Sequence, residues 1–268
     1  MDSIYLDHAA TTPMKKEVVE VMRDFYKNKF ANPASSHLLG QEASGAIEDA
    51  RENIASLINA KKAEEIVFTA GGTESDNLAI KGAAMAAADR GKHIITSAIE
   101  HHAVMKSCEF LEKHFGFDIT YLDVDEKGMV DPEELKAKLR EDTILISIIY
   151  ANNEIGTIQP IKKLAALAED NNILFHTDAT HTFKRISIDI KDIPVDLLTV
   201  SAHTIHGPKG IGALYRRDNV KLKKIMDGGF QENNFRAGVE NIPGAIGFAK
   251  AVELISDKEN TKIKNLRD

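Results

Sequence analysis

Short β-branched segments alternate with longer helical patterns from about residue 65 onward, and this alternation restricts the fold more than any other feature. It is typical of βαβ units around a mostly parallel sheet. Residues 144–149 are apolar without strict alternation, as expected for a central strand that helices cover on both faces. We therefore predict an α/β domain with strands at residues 66–68, 93–96, 119–122, 144–150, 173–175, 197–200 and 211–215.

Helical patterns flank this predicted sheet at both ends of the chain. Residues 15–26 and 42–57 read as amphipathic helices, and a last pattern runs from beyond Pro243 through residues 249–254 to Leu266. No glycine or proline terminates that pattern before Asp268, so we expect it to pack on a further segment. We divide the chain into an N-terminal arm, 1–15, and one large domain, 16–268.

Composition excludes several classes of protein. The charged fraction is 28% and the formal charge is −7, with no lysine- or arginine-rich block for nucleic acid or a lipid surface. Neither a signal peptide nor a run of ~20 apolar residues is present, so we expect no membrane association. Cys108 is the single cysteine, which excludes an internal disulfide and a thiolate metal site. We predict a cytoplasmic protein without a metal centre, in which Cys108 is a buried structural thiol.

A glycine turn follows the first predicted strand and leads into a helix. Ligands of open parallel sheets bind outside the carboxyl ends of the strands, so this turn lies where a ligand is expected. Backbone N–H groups near Gly72 and the hydroxyl of Thr73, together with the positive end of the helix dipole, would form a phosphate site. A plain helix cap is the alternative interpretation of the same residues.

Polar residues also follow the next strands. They are Glu100-His101-His102, residues 151–154, Asp178, and Ser201-Ala202-His203. Each could be a capped loop residue by itself, but together they suit an aromatic, phosphorylated ligand with a cationic ring. Pyridoxal phosphate fits this description, because its chemistry needs a carboxylate that keeps the ring nitrogen protonated. We predict that Asp178 supplies that carboxylate.

The chain resembles the cysteine desulfurases, within the class V aminotransferase group of fold-type I pyridoxal phosphate enzymes. The resemblance rests on a series of motifs in order: residues 5–13, 32–35, 68–77, 100–101, 152–157, 176–179 and 206–210. It implies a three-layer α/β large domain with a mostly parallel central sheet. It also implies roles for individual residues: Gly72, Thr73, Ser201 and His203 at the phosphate, His101 stacked on the ring, Asp178 at the ring nitrogen, and Asn153 near the phenolic oxygen.

Departures from the family pattern fall on the chemistry. Thr204 stands where the family has its Schiff-base lysine, so any bound cofactor is expected to be noncovalent. Lys209 matches a separate lysine of the glycine-proline-lysine-glycine turn. His181 replaces a glutamine near the ring oxygen, and Val239 replaces a threonine that reaches the partner subunit's phosphate. We also expect the family's small C-terminal domain, which carries the nucleophilic cysteine and a substrate-binding arginine, to be missing from this chain.

The sequence therefore predicts a domain related to enzymes that move sulfur from L-cysteine for iron-sulfur cluster assembly, inactive as a desulfurase on its own. The resemblance implies a homodimer with a sulfur-acceptor or scaffold partner. Residual cofactor chemistry with His101 or His203 as base stays open. A noncatalytic cofactor-binding or assembly partner, and an excised large domain of a longer desulfurase, are the alternatives. A nucleotide-binding dehydrogenase is disfavoured, because the first βα turn lacks the spaced glycines.

Overall fold

A seven-stranded sheet organises the computed structural model, which describes residues 4–256 together with 261 and 265. The strand order is β1-β7-β6-β5-β4-β2-β3, and every pairing is parallel except the two made by β7. The mostly parallel α/β sheet that the sequence predicts is therefore confirmed. The strands are β1 Ile66–Thr69, β2 His93–Ser97, β3 Asp118–Leu122, β4 Thr143–Ser147, β5 Leu174–Asp178, β6 Leu197–Ser201 and β7 Gly212–Arg216.

Helices cover both faces of the sheet and give three layers. They are α1 Lys16–Lys27, α2 Leu38–Leu57, α3 Gly72–Ala87, α4 His102–Phe115, α5 Pro132–Lys138, α6 Ile161–Asp170 and α7 Ile242–Leu254. One apolar core lies against α3 and α4, and a larger one lies against α1, α2, α6 and α7. Leu145 of β4 belongs to the first core and Ile146 to the second, so both faces of this strand are buried. Burial on both faces explains why this segment shows no polar alternation.

Several predicted boundaries are wrong, among them the end of β5 and the start of α2, and two others have a clear local reason. Strand β4 ends at Ser147, three residues early, although the N–H groups of Ile148 and Tyr150 still donate to carbonyls of β5. Helix α3 begins at Gly72, not after the glycine turn, because Gly71 takes a φ of 147° that only glycine adopts freely.

The last helix ends at Leu254, because Ile255 adopts an extended conformation. The predicted continuation to Leu266 lies outside the described residues, apart from isolated positions 261 and 265. Among the described residues, no helix has the length and apolar character needed to cross a membrane.

Candidate functional site

One cavity of about 660 Å³ opens at the carboxyl ends of the central strands. Its volume is in the range of small-molecule sites. Eight of the nine predicted site residues line it: Gly72, Thr73, His101, Asn153, Asp178, His181, Ser201 and His203. Thr204 is the ninth, and it is not in the lining. The sequence interpretation did not single out Asp76 and Thr180, which also line this cavity.

Helix α3 points its N-terminus into the cavity, and we call its first residues, Gly72 and Thr73, the phosphate seat. A Cβ atom on Gly72 would lie 2.9 Å from Oγ1 of Thr180, so a side chain there would fill the seat. The hydroxyls of Thr180 and Ser201 are buried in the cavity wall without a hydrogen-bond partner. Free helical N–H groups beside unpartnered hydroxyls are the donors that an anion needs.

Two buried carboxylates form the floor of the cavity. Asp178 ends β5, is 4% exposed, and accepts a hydrogen bond from the N–H of Thr180 at 2.9 Å. Asp76, on α3, is 1% exposed, and neither of its oxygens has a hydrogen-bond partner of normal geometry. One oxygen of each carboxylate and a ring nitrogen of His101 all lie within 4.8 Å of one another. No lysine or arginine is among the described residues that line the cavity, so this floor favours a cation.

The charges of the floor depend on burial. Burial, and then the negative charge of Asp178, raise the pKa of Asp76 well above its usual value, against a smaller opposing effect of the Thr199 hydroxyl. Glu100, beside His101, accepts hydrogen bonds from the Ser97 hydroxyl and the Ile149 N–H, yet burial raises its pKa to about 8. Burial therefore disfavours the charged form of both acids.

Imidazoles form much of the remaining wall. His101 precedes α4, and its Nδ1 accepts a hydrogen bond from the N–H of Ala103, which fixes the orientation of the ring. Burial lowers the pKa of His181 and of His203, which keeps both rings neutral near pH 7. The N-terminal arm holds His203 in place, because the hydroxyl of Thr12 donates a hydrogen bond to the carbonyl of His203 at 2.6 Å.

Thr204 lies behind this wall, in a 3₁₀ turn over residues 203–205. Its side chain is buried, and its hydroxyl donates to the carbonyl of Thr180 at 2.7 Å, with the carbonyl of Ser201 at 3.3 Å. Lys209 is exposed and does not line the cavity. Cys108 is fully buried within α4, and burial raises the pKa of its thiol to about 12. The cavity therefore presents neither an amine nor a thiolate from these three residues.

Sheet order, helical layers and a cavity at the strand ends match the fold of the fold-type I pyridoxal phosphate enzymes. Residues 4–268 match the family described as "Aminotransferase class-V". This chain belongs to the class V aminotransferase family, which uses pyridoxal phosphate, and its relatives there are cysteine desulfurases.

Two of these relatives are named "Cysteine desulfurase IscS". That of Dictyoglomus turgidum (strain DSM 6724 / Z-1310) is 56% identical over 268 residues, covering 99% of this chain and 68% of the relative. That of Methanosarcina thermophila is 51% identical over 269 residues, covering 99% of this chain and 66% of the relative. The chain thus spans about two thirds of the length of these curated relatives.

Solved structures give the same result. The chain is similar to "SspA in complex with cysteine", with a TM-score of 0.91 and 42% identity over 98% of this chain and 78% of that chain. It is also similar to a structure described as "NIFS-LIKE PROTEIN", with a TM-score of 0.93 and 39% identity over 97% of this chain and 71% of that chain.

The residues of the cavity fit the phosphate and the cationic ring of pyridoxal phosphate, but they do not offer its covalent link. A side chain at position 72 would crowd the Thr180 hydroxyl beside the phosphate seat, and the unpartnered Ser201 hydroxyl lies in the same wall. Asp178 offers a buried carboxylate to a cationic ring. Thr204 offers no amine. The roles of the individual residues remain predictions.

Proposed function

We propose that this chain is a cysteine desulfurase-like domain that holds pyridoxal phosphate without a covalent link and does not by itself release sulfur from L-cysteine. The observation that carries the proposal is Thr204. At the position of the family's lysine the chain has a buried hydroxyl that is already bonded to the carbonyl of Thr180. No lysine lines the cavity among the described residues.

The chain's own residues would hold the cofactor at three points. The phosphate seat and the Ser201 hydroxyl would donate to the phosphate, as helix N-termini do for anions generally. Asp178 would keep a proton on the ring nitrogen, and His101, fixed by the N–H of Ala103, would lie against the ring face. When bound, the cofactor supplies an electron sink for bonds at an amino-acid α-carbon.

Desulfuration needs a base for the α-proton and a thiolate that takes the sulfur. The neutral imidazoles of His181 and His203 can accept a proton, and both line the cavity. Cys108 cannot act as the thiolate, because burial raises the pKa of its thiol to about 12 and the side chain is inaccessible. Slow exchange of α-protons is compatible with this set of groups, and persulfide formation on this chain is not.

The test combines retention of the cofactor with release of sulfide. The full chain, incubated with pyridoxal phosphate and desalted, is expected to keep a free-aldehyde absorbance that borohydride does not fix to the protein. With L-cysteine, added cofactor and reductant, sulfide and alanine should stay at the level of a no-protein control. Sulfide above that control would refute the proposed inactivity, and a colourless desalted protein would refute noncovalent binding in favour of a purely structural role.

We further propose that the chain forms a homodimer. Leu38 and Phe230 are 82% and 83% exposed, and Val239, where the family has a residue facing the partner subunit, is 62% exposed. Light scattering should give the mass of a dimer, and Val239→Glu should shift it toward the monomer. Phe115→Asp, at a 43% exposed site on α4, is the matched control and should leave the mass unchanged. A monomeric wild-type chain would contradict the proposal.

A further inference from the structure

Asp76 is a buried acid that the proposed cofactor contacts do not use. It lies on α3 at 1% exposure, and its carboxylate faces the floor of the cavity without a hydrogen-bond partner. A buried ionised carboxylate without donors is strongly unfavourable, so such a group either meets a cation or keeps its proton. The groups around it decide between these two states.

No lysine or arginine among the described residues lines the cavity beside Asp76. His176, on β5, has Nε2 at 3.6 Å from Oδ1 of Asp76. Its ring nitrogens contact the hydroxyls of Ser147 and Thr199, and burial lowers its pKa to about 4, so the ring is neutral. The other titratable groups near Asp76 are the acids Asp178 and Glu100 and the imidazole of His101. A ring nitrogen of His101 lies within 4.8 Å of an oxygen of each carboxylate, and its Nδ1 already accepts the N–H of Ala103.

Hydrogen-bond donors distinguish the two carboxylates of the floor. Asp178 receives the N–H of Thr180 at 2.9 Å, and Asp76 receives no donor of normal geometry. A donor stabilises the charged form of an acid, so the charge of the pair belongs on Asp178. Two charges within 4.8 Å of each other in a buried site would repel strongly, which places the proton on Asp76.

We propose that Asp76 is a positioning residue that keeps the single proton of the Asp76–Asp178 pair, so that Asp178 stays ionised and free to hold a cationic ring. The role toward the ring rests on the proposed function, whereas the location of the proton does not. If Asp178 took the proton instead, a pyridinium ring would lose its charge partner. Asp76 thus acts through Asp178 and need not touch the cofactor.

Infrared spectroscopy of the full chain tests where the proton resides. The wild-type chain at neutral pH should show the carbonyl stretch of a protonated carboxylic acid, and Asp76→Asn should remove part of that band. Glu100→Gln is the matched control, because burial also raises the pKa of Glu100, to about 8. It should remove a separate part of the band and leave the Asp76 part. An unchanged band in Asp76→Asn would overturn the proposal.

Binding of pyridoxal phosphate tests the role toward the ring. Asp178→Asn should weaken binding of the cofactor by about tenfold or more, because the charge of the pair lies on Asp178 and neutral asparagine cannot replace it. An unchanged affinity in Asp178→Asn would mean that the charge lies elsewhere, and would overturn the proposal. A wild-type chain that binds no cofactor would refute the proposed function, and the infrared result would still locate the proton.

Discussion

Thr204→Lys is expected to convert this chain into one that holds pyridoxal phosphate covalently. The substitution places an amine at the position of the family's Schiff-base lysine, next to a cavity whose described lining contains no other amine. Thr204 is buried behind the wall with its hydroxyl on the carbonyl of Thr180, so the longer side chain must turn past that carbonyl into the cavity. After desalting, about one cofactor per chain should remain, show the absorbance of a lysine-bound cofactor, and become fixed by borohydride.

Thr204→Met is the matched control, since methionine is long and flexible but has no amine. It should show no covalent band and should retain no more cofactor than wild type. If Thr204→Lys does not bind the cofactor covalently, another residue of the cavity prevents the link. His181→Gln should then be added to the lysine variant. Failure of that double variant would show that this cavity no longer accepts the cofactor in a reactive position.

Most of the site residues could be predicted from the sequence, because they follow predicted strands. In a parallel sheet the carboxyl ends of the strands meet at one edge, so His101, Asp178 and Ser201 could be expected to converge from spacing alone. The structure places all three in one cavity. The same reasoning located the seven strands, because runs of β-branched residues bounded by turns are a local property of the chain.

Asp76 and Thr180 could not be found in this way. In sequence, Asp76 is an ordinary polar residue in the first turns of a helix, and Thr180 is a loop residue beside Asp178. The packing of α3 on the sheet shows that Asp76 is 1% exposed beneath the cavity. The fold also shows that the hydroxyl of Thr204 donates a hydrogen bond to the carbonyl of Thr180. Contacts between distant segments decide both points, and no local pattern encodes them.

Strand and helix ends were missed for a related reason. The apolar residues after Ser147 continue the pattern of β4, and their N–H groups still reach carbonyls of β5, but the regular ladder stops there. Apolar periodicity reports burial, and burial extends beyond hydrogen-bonded pairing. Similarly, the pattern after residue 254 stays compatible with a helix although Ile255 is extended.

Loss of Glu232 should destabilise the fold more than any surface substitution, because it removes the buried counter-ion of a buried guanidinium. Arg51, on α2, is 4% exposed and makes two hydrogen bonds to Glu232, at 2.6 and 2.9 Å. Glu232 also accepts the N–H of Phe68 at 2.7 Å, which ties the segment 227–241 to β1. Glu232→Ala should lower the free energy of unfolding by about 3–5 kcal/mol, measured by urea denaturation.

Glu48→Ala is the matched control, because Glu48 contacts the same guanidinium at 3.2 Å but its side chain is 51% exposed. Removing it should change the free energy of unfolding by about 0–1 kcal/mol. The destabilisation caused by Glu232→Ala should extend to the cavity. Arg236 follows Glu232 by four residues and pairs with Glu74, at the start of α3, at 2.9 Å. Equal, small effects of the two variants would show that the Arg51–Glu232 pair does not stabilise this edge of the sheet, and that the segment 227–241 is held by other contacts.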